Sequence, residues 1–292
     1  MSESVPDPSV AHFGPDGMRR FSVPGAYSGR LPEDALRALA GTGVPLHVAP
    51  YFTVAAETDG PTLGMYAGHH GVSGLGSDPA DWLRLGTDGL AHVCVRPDGA
   101  LQAVFLGDEE PDMYVSSSVE SFSRSLAVLD RRRAELAAST SMPAAAAVFR
   151  ELDAELRRID PVAFEFRESW WPRVVEDIGH TTSFGFMATF EYADTDGNKH
   201  LVSEATGVGR PHPEEVVWQQ LSAQGVEPAQ VLRVYCDLQP CKMPGHYCAV
   251  WTQRLFPEAE FTHRFDYGTD AQSREQGLMS LMKYVAEQAG GE

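Results

Sequence analysis

Four polar residues in the last third of the chain have the side chains and the spacing of a metal centre. His212 and Glu214 stand two positions apart, and Cys241 and Cys248 follow with a separation of seven positions. One imidazole and two thiolates suit a tetrahedral zinc ion whose fourth position stays open to water. A carboxylate that is not a ligand can carry protons from that water to a nucleobase ring, which is the chemistry of hydrolytic deamination. The four residues are therefore candidates for a zinc centre with a neighbouring proton carrier.

The flanking sequence predicts the elements that would hold these side chains together. Apolar residues spaced as on one face of a helix follow directly after His212. Residues 231–238 are rich in apolar and β-branched types and predict a strand that ends just before Cys241. Pro244 suits the first turn of a further helix, whose N-terminus would favour a thiolate over a thiol.

Two other residues compete for places in this centre. Cys236 lies inside the predicted strand and suits a buried core position, but as a fourth ligand it would close the site and abolish catalysis. His246 lies between Cys241 and Cys248 and could replace one thiolate. Two thiolates agree better with deaminase chemistry, so Cys248 is preferred to His246.

The sequence around these residues resembles a branch of the cytidine-deaminase-like superfamily, the nucleic acid and nucleotide deaminases of bacterial polymorphic toxin systems. The segment between the thiols is four residues longer than in the common Pro-Cys-x-x-Cys signature, and it contains Met243-Pro244-Gly245, as in this branch. Phe256-Pro257 and Tyr267-Gly268 are also similar. The resemblance covers about the last third of the chain. It implies one proton shuttle, Glu214, and three zinc ligands, His212, Cys241 and Cys248.

Composition limits the compartment and the partners. The chain of 292 residues has a net charge of −18, four cysteines and no apolar run long enough to span a membrane. The acidic first residues lack the basic and apolar regions of a signal peptide, so we expect a cytoplasmic protein with reduced thiols. From residue 184 onward, 8 Lys and Arg stand against 15 Asp and Glu, a net charge of −7. Such a surface disfavours strong nonspecific binding of nucleic acid and suits a basic protein partner, such as a toxin or nuclease.

The preceding residues predict a different kind of domain. Residues 1 to about 30 are rich in Pro and Gly and are expected to form loops. Turns at Thr87-Asp88-Gly89 and Pro97-Asp98-Gly99 indicate an antiparallel sheet. Three strands and a long helix are predicted at 82–86, 91–95, 101–106 and 119–138.

This pattern resembles the SUKH superfamily, in particular its fourth subgroup of immunity proteins. The similar segments lie between about residues 10 and 180, and they are Phe13-Gly14, Leu83 to Asp88, Pro97-Asp98-Gly99, Ile159-Asp160-Pro161 and Trp170-Trp171-Pro172. The resemblance implies a binding module that neutralises a toxin protein.

We therefore predict two domains. Residues 1–182 form an α+β domain with an antiparallel sheet and helices, and residues 183–292 form an α/β domain with the three-layer fold of cytidine deaminases. The second domain has the predicted order β-β-α-β-α-β-α, and its first strand starts at Phe184.

Two functions remain open for this combination. One is an enzyme, a nucleic acid or nucleotide deaminase that hydrolyses a C–N bond of a cyclic amidine and is fused to a toxin-immunity module. Its substrate would be a nucleotide or a single-stranded nucleic acid. The other is an immunity protein that acts by binding and carries a degenerate zinc domain without catalysis.

Overall fold

The computed structural model describes residues 7–23, 25, 29–57, 61–72, 75–107, 110–183 and 185–289. The chain divides into two compact units. The first comprises Met1–Glu135 and Ala147–Val175, and the second comprises Leu136–Ala146 and Glu176–Glu292. Within the described ranges, no helix has the length and apolar character needed to cross a membrane.

Short elements open the first unit. The loop expected for residues 1 to about 30 is wrong for Pro8–Phe13, which form α1, and for Met18–Arg19, which form β1. The carboxylate of Asp7 caps α1 by accepting a hydrogen bond from the N–H of Ser9 at 2.8 Å. Residues 1–6, 24 and 26–28 of the expected loop lie outside the described residues. The next elements are α2 (Glu33–Gly41), β2 (Val44–Pro45), β3 (His47–Val48), β4 (Phe52–Val54), α3 (Leu63–His69) and α4 (Ser77–Ala80).

An antiparallel sheet whose described strands follow one another in chain order forms the centre of the first unit. Its described strands lie in the order β3, β4, β5 (Leu83–Thr87), β6 (His92–Val95), β7 (Leu101–Val104) and β8 (Met113–Ser116). The turn after β5 closes because Asp88 Oδ1 accepts a hydrogen bond from the N–H of Ala91 at 2.8 Å, and Gly99 (φ +87°) allows the next turn. The α+β class predicted for this region is confirmed. The remaining elements are α5 (Val119–Ala137) and α6 (Met142–Ile159).

Two tryptophans fill the core of the first unit. Trp170 and Trp171 begin α7 (Trp170–Ser183) and are fully buried. The indole N–H of Trp170 donates a hydrogen bond to Oδ2 of Asp88 at 2.8 Å, and its ring meets Phe122 edge-on. The bond gives the buried indole N–H a partner, so the ring can contribute its apolar area without a desolvation penalty.

The second unit has the predicted order of elements. A mixed sheet has the strand order β10 (Lys199–Ala205), β9 (Met187–Ala193), β11 (Val231–Leu238) and β12 (Glu260–Phe265). Strand β9 pairs antiparallel with both neighbours, and β11 pairs parallel with β12. The α/β class and the β-β-α-β-α-β-α order are confirmed, while Phe184 lies outside the described residues. The helices of this order are α8 (Pro213–Ala223), α9 (Cys248–Leu255) and α10 (Ala271–Ala289).

The apolar core of this unit includes residues of the candidate site. Alternate residues of a strand face the same side of a sheet, and on β11 these are Val234, Cys236 and Leu238, all buried. Val234 and Cys236 pack with α8 in one apolar cluster. Leu238, at the end of the strand, belongs to a second cluster that also contains Phe186, Cys241, Met243, Cys248, Tyr267, Leu278 and Leu281.

Candidate metal centre

His212 lies at the N-terminus of α8, as the sequence predicts. Its backbone N–H donates a hydrogen bond to Oε2 of Glu215 at 2.8 Å, which ties the first turn of the helix to the residue before it. Pro213 occupies the first helical position, where its missing N–H costs no hydrogen bond. This start of the helix buries both His212 and Glu214, whose exposed fractions are 4% and 3%.

The two thiols come from the two ends of one loop. Cys241 follows β11, and Cys248 is the first residue of α9. The helix start predicted at Pro244 is wrong, because Tyr247 takes a left-handed conformation (φ 45°) that interrupts a helix and the helix begins only after it. The N–H of Ala249 donates to the carbonyl oxygen of Cys241 at 2.9 Å and fastens the base of the loop. The loop thus brings both thiols into one buried space.

The imidazole of His212 directs its Nδ1 atom at both thiols. Nδ1 lies 3.5 Å from Sγ of Cys241 and 3.5 Å from Sγ of Cys248, and the three ligand atoms all lie within 4.8 Å of one another. Zinc bonds of about 2.1 Å to nitrogen and about 2.3 Å to sulfur, at a tetrahedral angle, give an N···S separation of about 3.6 Å. The chemistry and the spacing of these three donors therefore fit a zinc ion.

The opposite edge of the His212 ring contacts a residue that the sequence analysis missed. Nε2 of His212 lies 3.2 Å from Oδ1 of Asp177, and both side chains are almost fully buried. Asp177 belongs to α7 and carries no motif. The only signal in the sequence was its helical spacing after the apolar residues Trp170 and Val174.

His246 also lies in this cluster, but it does not face the thiols. Its ring stacks on His212 with centroids 3.7 Å apart. Its Nδ1 lies 2.9 Å from Oε2 of Glu215 and its Nε2 lies 3.4 Å from Oδ2 of Asp177. Both nitrogens of His246 thus contact carboxylates, which disfavours His246 as a replacement for Cys248.

The opposite charges of Asp177 and His212 stabilise each other. Burial alone would raise the pKa of Asp177, but the imidazoles of His212 and His246 outweigh burial and lower the pKa to about 2. Burial would likewise lower the pKa of His212, yet Asp177 and Cys241 raise the pKa well above the ordinary value. A negative environment on both edges of the ring therefore favours positive charge at this position.

The pKa values of the two thiols shift in opposite directions. Burial opposes ionisation of Cys241, but a hydrogen bond from Cys248 and the charge of His212 hold the pKa of Cys241 well below its usual range. Burial and the neighbouring Cys241 thiolate raise the pKa of Cys248 well above its usual range. A divalent cation would replace the proton of the Cys248 thiol, because metal ions bind the thiolate form.

Glu214 lies beside this cluster in an apolar setting. Burial is the main reason that the pKa of Glu214 rises to about 7, with His212 opposing the rise and Cys241 adding to it. Its Oε2 atom is buried and has no hydrogen-bond partner among the described residues. Cys236 is 3.6 Å from Oε1 of Glu214 and does not belong to the ligand cluster, which disfavours a closed site with Cys236 as fourth ligand.

A small cavity joins these groups. Its volume is about 20 Å³, which is room for one water molecule and too little for a nucleobase. Its lining includes Glu214, His212, Cys241, Tyr267 and residues of α7. The hydroxyl of Tyr267 lies 2.7 Å from Nδ1 of His180, so these two side chains close part of the wall together.

Comparison with known protein families agrees with this division of the chain. The family model described as SUKH-4 immunity protein matches residues 10–177, and the model described as Xanthomonas-like deaminase matches residues 184–284. Searches of curated proteins and of solved structures gave no significant match. The first match spans more than half of the chain, and the second contains all four candidate site residues. The chain therefore belongs to the SUKH-4 immunity protein family and carries a deaminase-like domain after its immunity domain.

Proposed function

We propose that residues 183–292 form a zinc-dependent hydrolytic deaminase of nucleobases and that residues 1–182 form the toxin-immunity module to which it is fused. In this proposal His212, Cys241 and Cys248 hold the zinc ion and Glu214 moves the protons. The observation that carries the proposal is the position of His212 Nδ1, 3.5 Å from both thiol sulfurs. These residues and the buried Glu214 all lie within the segment that matches the deaminase family.

In this proposal the metal and Glu214 have different chemical roles. When bound, zinc supplies the Lewis acidity that makes a water-derived nucleophile available near neutral pH. Glu214 takes a proton from the attacking water at its Oε2 atom and passes protons to the ring nitrogen and the departing amine. The C–N bond breaks, ammonia leaves, and the ring keeps the oxygen of water. The burial of Glu214, of which 3% is exposed, excludes bulk water from this transfer.

The substrate is a nucleotide or a single-stranded nucleic acid in this proposal. A base inside a duplex would have to be flipped out, and contacts to phosphates would have to offset that cost of a few kcal/mol. The basic residues of the second unit are poorly placed for such contacts, because several pair with acids: Arg210 with Glu204, Arg233 with Glu260 and Arg274 with Glu176. We expect little activity on duplexes and a weak dependence on salt.

The immunity module is proposed to bind a basic toxin or nuclease of a bacterial polymorphic toxin system. Residues 1–183 contain 15 Lys and Arg against 26 Asp and Glu, a net charge of −11. Opposite charge on the partner would increase the rate of association. The ligand thiols stay reduced in the cytoplasm, where the proposal assigns this pair of domains.

The second candidate function is neutralisation by binding alone, with a zinc domain that does not catalyse. The cavity favours it, because about 20 Å³ beside Glu214 does not accommodate a nucleobase. Under this alternative the zinc ion would stabilise the fold, since metal binding couples to folding.

Metal analysis and activity assays on the purified full chain separate the two. The proposal expects one zinc ion per chain and deamination of nucleosides, nucleotides or single strands, followed by mass spectrometry. Glu214→Gln should keep the zinc and lose about 10²–10⁴-fold in turnover, because general acid–base catalysis contributes about that much. Glu258→Gln, at an exposed position, is the matched control and should retain activity. Zinc without turnover on any of these substrates would favour the binding function.

A further inference from the structure

The ligand set assigned to zinc contains one imidazole, and only one of its nitrogens faces the thiols. In a neutral imidazole one nitrogen carries the proton and the other carries the lone pair, and the partner of the first decides which is which. The ring can also rotate about its last torsion, which would turn a carbon atom toward the thiols. Both the proton and the ring orientation of His212 must therefore be set from outside the ligand set.

We propose that Asp177 is the positioning residue for His212, and that α7 thereby completes the metal centre of the deaminase-like domain. Its carboxylate accepts the Nε2–H of His212, which leaves the lone pair on Nδ1 for the metal. This inference rests on the proposed function and assigns to the site a residue outside the deaminase family match, which begins at residue 184.

The contacts around Asp177 support this role. Its oxygens lie 3.2 and 3.3 Å from Nε2 of His212. A carboxylate only accepts hydrogen bonds, so the proton between the two groups belongs to the imidazole. The contact is buried, with 4% of the Asp177 side chain exposed, so water does not compete for it.

His246 fixes the same arrangement from a second direction. Its ring is nearly parallel to that of His212, at an angle of 7°, and its Nε2 also faces Asp177. The carboxylate thus contacts the Nε2 atoms of both stacked rings, and rotation of His212 would break its contact with Asp177. Metal-binding histidines commonly have such a carboxylate on the second nitrogen, and its loss weakens metal binding by about 10–100-fold.

The test compares zinc affinities of full-length variants by competition with a chelator. Asp177→Ala should weaken zinc binding by about 10–100-fold, and Asp177→Asn should weaken it less, because the amide oxygen still accepts the Nε2–H. The matched control is Glu176→Gln, which removes a neighbouring charge that pairs with Arg274 and not with His212. Its zinc affinity should stay within about threefold of the wild type.

A spectroscopic reading separates positioning from general damage to the fold. Long-range ¹H–¹⁵N NMR of the metal-free protein, at a pH high enough to make His212 neutral, should show its proton at Nε2 in the wild type and in Asp177→Asn. The tautomer population should change in Asp177→Ala. If Asp177→Ala does not fold, the affinity of Asp177→Asn and the wild-type tautomer still decide the matter.

The outcomes distinguish this inference from the function on which it rests. Wild-type affinity and tautomer in Asp177→Ala would overturn the role of Asp177 and leave the zinc enzyme intact. Two metal ions per wild-type chain, one of them lost in Asp177→Ala, would make Asp177 a ligand and overturn the inference in another way. A wild-type chain that binds no zinc would remove the proposed function itself.

Discussion

Two buried histidines, one in each unit, have opposite surroundings. His92 on β6 accepts a hydrogen bond from Nε of Arg84 to its Nδ1 at 3.0 Å, and its ring lies against Tyr66. Burial, Arg84 and His70 lower the pKa of His92 to about 4. His212 instead faces a carboxylate and two thiols, and its pKa rises well above the ordinary value.

The difference indicates which histidine can bind a cation. A guanidinium donating to His92 occupies its lone pair and repels a second positive charge, so this side chain serves packing and hydrogen bonding. His212 faces Asp177 with its Nε2 and the two thiols with its Nδ1, and these negative groups attract positive charge. Burial of a polar residue alone therefore does not mark a functional site; the sign of the charges around it does.

Substitution of the buried thiols is the strongest test of whether the surroundings of a buried residue, and not its burial, mark the metal site. Cys94 is buried, as Cys241 is, but burial raises the pKa of the Cys94 thiol well above the usual range, and no metal cluster in the described residues includes Cys94. We expect Cys241→Ser to lose zinc affinity by at least about 100-fold, since a ligand contributes more than an outer-shell partner. Zinc per chain and chelator competition measure the effect.

The control for this experiment is Cys94→Ala. It removes a buried thiol that lies outside the ligand cluster, and it should keep stoichiometric zinc. Full zinc content in Cys241→Ser, or loss of zinc in both variants, would contradict the assignment of the ligands.

Acid sensitivity is the corresponding test for His92. A pKa of about 4 in the folded state and 6.5 in the unfolded state means that only the unfolded state takes up this proton between those values. The neutral His92 ring therefore contributes about 3 kcal/mol to the unfolding free energy. This contribution is complete above pH 6.5 and is lost as the pH falls toward 4. Urea unfolding at several pH values, followed by the NMR resonances of β6, measures it.

The variant His92→Gln keeps an acceptor for Arg84 and removes the titration. Its unfolding free energy should change by about 3 kcal/mol less than that of the wild type between pH 6.5 and pH 4. Equal slopes in the two proteins would mean that His92 is not the titrating group.

The sequence predicted much of the fold, and the reasons are local; the roles of the four residues named for the site stay a prediction. Alternation and helical spacing are short-range signals, so β11, α8 and the order of elements in the second unit were predicted correctly. The proline at position 244 was given too much weight, because the left-handed turn at Tyr247 depends on how the loop packs. The cap that Asp7 gives to α1 was overlooked among prolines and glycines.

The contacts of the site beyond those four residues could not be predicted. Asp177 and His212 stand 35 positions apart and belong to segments that match different families. Only folding brings them together, and one acid on a helix has no spacing that identifies its partner. The stacking of His246 on His212 also depends on folding. From the sequence, a histidine inside the loop could as well have been a metal ligand.

His246 gives the smallest of the expected effects and tests the remaining rival ligand. It contacts Asp177 and Glu215 through its two nitrogens and supports His212 by stacking, so it acts on the metal only through its neighbours. We expect His246→Gln to keep one zinc ion per chain and to lose less affinity than Asp177→Ala, by under about tenfold. The matched variant Cys248→Ser should lose the metal. Were His246 the third ligand in place of Cys248, the two results would be exchanged: His246→Gln would lose the zinc ion and Cys248→Ser would retain it.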